Sequence, residues 1–196
     1  MVEKNQILTA AIETFNKLGL KRVSVDDICF NLSISKKTFY QHYSEKEILI
    51  NDFITSEFLR VSEKYDALKQ ESKSPLELLV HYNQYLLDVV NTKNPAVLFD
   101  LQHFYPENLN EYRRQRPILV NHFREILNKG IESGDFRKNI IPAVLAELRL
   151  SQLEMHLLNK YPLTEEIRLA QKQLAEHFIY GVLRNAPEIN LLKMFG

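Results

Sequence analysis

The sequence has one cysteine, Cys29, no tryptophan, and only five glycines and seven prolines among 196 residues. A single thiol closes no disulfide within the chain and builds no multi-cysteine zinc site. Cys29 lies in "DDICFNL", where an apolar helix face is expected, and reads as a buried structural thiol. Few glycines and prolines favour long helices over tight turns. No apolar run approaches the ~18 residues of a membrane span. The N-terminal "MVEKNQILTAAIETF" lacks the basic and apolar regions of a signal peptide. A cytoplasmic location is therefore expected. Net charge is also lacking, with 25 basic and 25 acidic residues. So are the signatures of catalysis: no GxSxG, GxGxxG, P-loop or HExxH occurs, and the glycines are too scattered to cradle a phosphate. No enzyme activity, cofactor or metal site is expected.

What is present is helical periodicity. Ile7, Leu8, Ala11, Ile12, Phe15 and Leu18 recur at three and four, and Gly19 stops that first helix. Ser24 with Asp27 three residues on resembles a capping box, opening a short second helix that turns Val25, Ile28 and Leu32 to one side. Ser33 breaks it. Ser35 caps a third helix, predicted over 36–42, and Ser44 with Glu47 opens a fourth that runs to about Leu68. Two short helices joined by a turn and braced by a longer one make a helix-turn-helix.

Ser74-Pro75 starts another helix, apolar on two faces. Pro95, Pro106 and Pro117 divide the middle into short helices, and "GIESGDFRKNIIP" reads as a loop. Two long helices follow, predicted over 142–160 and 164–185. In the first, Val144, Leu148, Ser151, Met155 and Leu158 form one stripe and Ala146, Leu150, Leu153 and Leu157 another. In the second, Ile167, Ala170, Leu174, Phe178 and Val182 line one face, with Ala175, Ile179 and the small Gly181 alongside. A helix apolar on both sides buries one against its own core and needs a partner for the other, so these two helices are expected to form a dimer interface. The fold class is thus all-α, an N-terminal helix-turn-helix domain over residues 1–46 and a helical dimerisation domain over 47–196.

The segment "SISKKTFYQHYSEKEIL" sets cations beside aromatics. Residues 1–46 hold seven Lys and Arg against five acids, so position matters more than total charge. A two-turn helix of ~10 Å suits a major groove ~12 Å wide. Near its start Ser35, Lys36, Lys37 and Thr38 can face base edges: Lys pairs with guanine O6 and N7, and Thr meets a polar edge or the thymine methyl. Tyr40 and His42 follow the buried Phe39, and their polar tips can meet phosphate oxygens. Lys46 and Ser24, at helix starts, offer further anion contacts.

The stretch "ILTAAIETFNKLGLKRVSVDDICFNLSISKKTFYQHYSEKEIL" resembles the tetracycline-repressor (TetR) family of bacterial regulators. The resemblance rests on the Ala-Ala pair, the Phe four residues before a Gly, the Ser24 helix start, Ile34-Ser35, Thr38-Phe39-Tyr40, His42-Tyr43 and Lys46. Two residues depart from the pattern: Ser33 stands where Gly is usual in the turn, and Lys37 where Gly or Pro is common. The resemblance implies the DNA contacts named above. It also implies a homodimer on an inverted-repeat operator and a small-molecule pocket in the C-terminal domain. Residues offered for that pocket are Tyr82, Tyr85, Phe99, His103, Phe104, Tyr105, Phe123 and Met155, each of which also reads as ordinary core. The effector they would suit is largely apolar. Two other readings stand beside this one, a DNA-bound protein that answers to a protein partner and a helical interaction module without DNA.

Overall fold

The structure is a computed structural model that describes residues 3–158 and 164–185. Ten α-helices occupy them: α1 Lys4–Leu18, α2 Val25–Leu32, α3 Lys36–Tyr40, α4 Lys46–Glu71, α5 Pro75–Thr92, α6 Ala96–Phe104, α7 Pro106–Gln115, α8 Pro117–Ser133, α9 Pro142–Leu158 and α10 Glu165–Val182. Among the described residues no helix is long and apolar enough to cross a membrane. The only pairing outside helices among them is an isolated antiparallel bridge between Phe136 and Leu183.

The chain divides into two compact units, and one division falls within α4. Of the described residues, the first holds 3–59, 93–115 and 157–158; the second holds 60–92, 116–156 and 164–185.

In the first unit α1 buries Ile7, Ala11 and Phe15, the stripe its spacing predicts. Gly19 ends it at φ 84°, where an added Cβ would also crowd Ala96 and Asp100, so glycine answers two constraints there. The α2 capping box forms as expected: Ser24 Oγ accepts from the Asp27 amide and the Asp27 carboxylate accepts from the Ser24 amide. Ser33 closes α2 in the left-handed region at φ 53°, the turn position where it replaces glycine. Helix α3 stops at Tyr40 rather than at 42. Gln41 and His42 continue as a turn, in which the His42 amide bonds the Phe39 carbonyl three residues back. Phe39 and Tyr43 sit fully buried, and Phe15 meets Phe53 of α4 edge-on at 5.4 Å. Helix α4 begins at Lys46, two residues after the expected cap, and continues to Glu71.

In the second unit α5 packs on α8 and α10. Tyr82 and Phe123 are fully buried with ring centroids 5.1 Å apart. The segment "GIES" is not the loop its sequence suggests. Helix α8 runs on to Ser133 and ends at Gly134 in the left-handed region, because the Phe136 ring lies against Gly130, whose carbonyl accepts from the Phe136 amide. On α9, Ala146, Leu150 and Leu153 turn inward while Val144, Leu148 and Met155 lie exposed. Helix α10 buries Val182 of the expected line and Ala175 and Ile179 beside it, together with Gln171, while Ile167, Leu174 and Phe178 are half-buried and Ala170 is exposed. The helix end expected at 160 lies outside the described residues, whereas the helix expected to reach 185 ends at Val182.

Candidate nucleic-acid interface

The third helix is held from within and offered outward. Phe39 anchors it, packed on Tyr43 at 5.8 Å between ring centroids. The Tyr43 hydroxyl donates to Asp52 at 3.1 Å, and Asp52 pairs with Lys4 at 2.7 Å, tying α1, α3 and α4 together. At the start of α3, Ser35 Oγ accepts from the Thr38 amide at 3.1 Å and lies 3.0 Å from the Thr38 hydroxyl. Ser35 is therefore a cap first, with an exposed hydroxyl second.

The three lysines differ. Lys36 is exposed and pairs with Asp26 at 2.9 Å; that hydrogen bond raises its pKa. The pair is solvated on both sides, and a phosphate exchanges for the carboxylate at little cost. Lys37 is exposed and no ion pair holds it among the described residues. Lys46 is half-buried and turned inward. Its Nζ donates to the Leu20 carbonyl at 2.6 Å and to the Tyr105 hydroxyl at 2.8 Å, and burial lowers its pKa. Ser24 is exposed but shared with Asp27, whose Oδ2 accepts from its hydroxyl at 2.7 Å; that bond lowers the Asp27 pKa. Tyr40 is half-exposed and His42 half-buried on the same short segment.

The sequence does not disclose what steadies this head from later in the chain. The Asp100 carboxylate accepts from the Lys21 amide at 2.8 Å in the turn between α1 and α2. Asn108 Nδ2 donates to the Glu47 carbonyl and to Asn51, each at 2.8 Å. Lys93 pairs with Glu57 and donates to Asn16 at 2.9 Å. A carboxylate buried in an otherwise apolar helix, as in "VLFDLQ", is the one signal that hints at such a role. Phe30 on α2 is 85% exposed, the largest apolar side chain the head shows to solvent, and it went unremarked in the sequence.

Residues 7–53 match the family model described as bacterial regulatory proteins, tetR family. Over that segment the chain is similar to the TetR family. The match covers α1 to α3 and the start of α4, the elements that carry every DNA-contact residue named from the sequence. The KstR2 transcriptional repressor of Mycolicibacterium smegmatis is 24% identical over 147 residues, covering 70% of this chain and 69% of that protein. Among solved structures, a TetR-family regulator from Agrobacterium tumefaciens matches with a TM-score of 0.77 at 16% identity, over 92% of this chain and 97% of that one. The Bacillus subtilis regulator FadR, in complex with stearoyl-CoA, matches with a TM-score of 0.72 at 14% identity, over 91% and 99%. The all-helical architecture behind a helix-turn-helix is thus that of the TetR fold. The protein is a DNA-binding transcriptional regulator.

The pocket residues suggested by the TetR resemblance divide between the two units. Phe99, His103, Phe104 and Tyr105 lie in the first. There Phe99 and His103 stack at 3.9 Å, the Lys21 ammonium sits 3.5 Å from the exposed Phe104 ring, and Tyr105 accepts from Lys46. Tyr82, Tyr85, Phe123 and Met155 lie in the second. Tyr82 and Phe123 form its aromatic centre with Tyr65 and His122, whose ring stacks on Tyr65 at 4.0 Å. Tyr85 is half-buried, and Met155 stands on the exposed side of α9.

Proposed function

We propose that this chain is a dimeric repressor that binds an inverted-repeat operator through α3 and is released by a small, largely apolar ligand. The observation that carries the DNA half is the pairing of an exposed Lys37 with Tyr40 on a helix fixed from below by Phe39 and Tyr43. Lys36, Lys37 and Thr38 read base edges, while Tyr40, His42, Ser24, Ser35 and the start of α4 meet backbone. Lys46 acts there through its helix-start amides, since its ammonium is engaged inward. In this reading residues 1–46 are the reading head and 47–196 the ligand-binding and dimerisation part.

One head makes too few phosphate contacts for tight binding, and two-fold pairing doubles them over half-sites one or more helical turns apart. The exposed Val144, Leu148 and Met155 of α9 supply an apolar face for that pairing. A second reading, a DNA-bound protein answering to a protein partner, draws support from the close ring packing of Tyr82, His122 and Phe123. The test is selection of bound duplexes from random DNA, repeated with Lys37→Ala plus Tyr40→Ala. An inverted repeat that vanishes in the double variant supports the repressor; no enrichment by a folded wild-type protein at low salt refutes it.

A further inference from the structure

Asp26 stands in the first turn of α2, where an acid suits the helix dipole. Asp27 beside it already closes the cap with Ser24. The Asp26 carboxylate reaches instead to Lys36, the first residue of α3, with Oδ1 2.9 Å from Nζ. Neither head group has another hydrogen-bond partner among the described residues. Both side chains stay open to solvent, 59% exposed for Lys36 and 65% for Asp26. An ammonium carries three donors and a carboxylate about four acceptor sites, so each head has capacity left on its open side. A solvated ion pair contributes little to stability. The two helices are in any case seated by the fully buried Ile28 and Phe39. What the bridge supplies is a pattern, a donor and an acceptor side by side at the start of the reading helix.

One base pair carries the complementary pattern. In a G·C pair guanine O6 and cytosine N4 are joined by a hydrogen bond, so they stand about 2.9 Å apart in the major groove, acceptor beside donor. Lysine takes guanine O6 and N7, and aspartate accepts from cytosine N4. An A·T pair reverses the order, setting its N6 donor against the ammonium and its O4 acceptor against the carboxylate. A T·A pair restores the order, but a methyl group replaces the guanine N7 and an adenine N7 acceptor faces the carboxylate. To take a phosphate the bridge has to open; on a G·C edge it stays closed and keeps both charges paired.

We propose that Asp26 reads DNA together with Lys36, the closed bridge spanning one G·C pair of each half-site with its ammonium on guanine and its carboxylate on cytosine. This rests on the reading of α3 as the helix that faces the groove, and adds to it a specificity residue from α2. Lys37, which has no acid beside it, reads guanine without testing the base opposite.

The test is equilibrium binding of the full chain to the selected operator, with all four base pairs placed in turn at each half-site position. The wild type, Asp26→Asn and Lys36→Met are compared, and their melting temperatures report that each is folded. The wild type is expected to hold one position as G·C and to lose about ten- to hundredfold when one half-site carries A·T there. Asp26→Asn keeps the shape of the side chain and gives it a donor for thymine O4. The loss is then expected to shrink to about threefold or less, at that position and no other. Lys36→Met is expected to relax the same position. A purely structural role for Asp26 would change affinity for every sequence alike and leave the ranking of base pairs as it was. The proposal is overturned if no position is held as G·C, if Asp26→Asn keeps the wild-type ranking throughout, or if the two substitutions relax different positions. A folded wild type that selects no motif removes the operator reading itself, and this proposal with it.

Discussion

The lysines of the reading head show how far residue type alone carries. Lys36, Lys37 and Lys46 read alike as cations near helix starts, yet only Lys37 has neither a carboxylate nor an internal acceptor on it among the described residues. Lys37→Ala is therefore expected to weaken operator binding roughly ten- to hundredfold without moving the melting temperature. Lys46→Met behaves oppositely. It strips donors from the Leu20 carbonyl and the Tyr105 hydroxyl, and chemical denaturation should show a loss of about 1–3 kcal/mol. Equal stability of the two variants would contradict this division. The inward turn of Lys46 was illegible in the sequence because its acceptor lies 59 residues away. His122 is a second case. Burial holds its imidazole neutral, with a pKa pushed down from 6.5 to about 4. Above 6.5 neither folded nor unfolded chain is charged there. As pH falls toward 4 the unfolded chain takes up a proton that the folded one refuses, so stability drops. The denaturation midpoint should be lower at pH 5 than at pH 7, with a smaller difference in His122→Gln. Glu125, held at about 2 chiefly by its hydrogen bond to Lys69, adds its own loss only below 4.5 and leaves that window clear.

At the scale of elements, what was legible was local chemistry. The Ser24 and Ser35 caps, the Gly19 stop and the three proline breaks depend on neighbours within about four residues, and each stands where its sequence puts it. What was not legible depended on packing between distant segments. The last turn of α8 is stabilised by Phe136 across Gly130, and the α10 face is set by where α5 lies. The α2–α3 turn tests the local side. Ser33 sits at φ 53°, where a Cβ is strained, so Ser33→Gly should stabilise the protein by about 0.5–1 kcal/mol in urea unfolding. No gain would mean that a contact of the serine hydroxyl compensates. The outer face of α9 tests the packing side. Leu148 is 55% exposed amid other apolar residues, and Leu148→Asp should turn a dimer into monomers in sedimentation with helix content unchanged.

For the whole molecule, the equal balance of 25 basic and 25 acidic residues places the burden of DNA affinity on arrangement. Attraction to a polyanion scales with the phosphates neutralised, and log K falls with log salt by about 0.9 per phosphate. A single head has few cations free to do this, since Lys46 is engaged inward. The proposed dimer joins two heads, so the slopes of the two add. Its second contact also becomes intramolecular, which multiplies affinity without any new bond. Leu148→Asp changes no residue of either head. It should nonetheless halve the slope of log K against log salt and weaken operator binding by about a hundredfold or more. Lys37→Ala should lower affinity while the protein stays dimeric. A monomeric Leu148→Asp that kept the full salt slope would show that one head carries all the phosphate contacts, and the two-headed reading would fall.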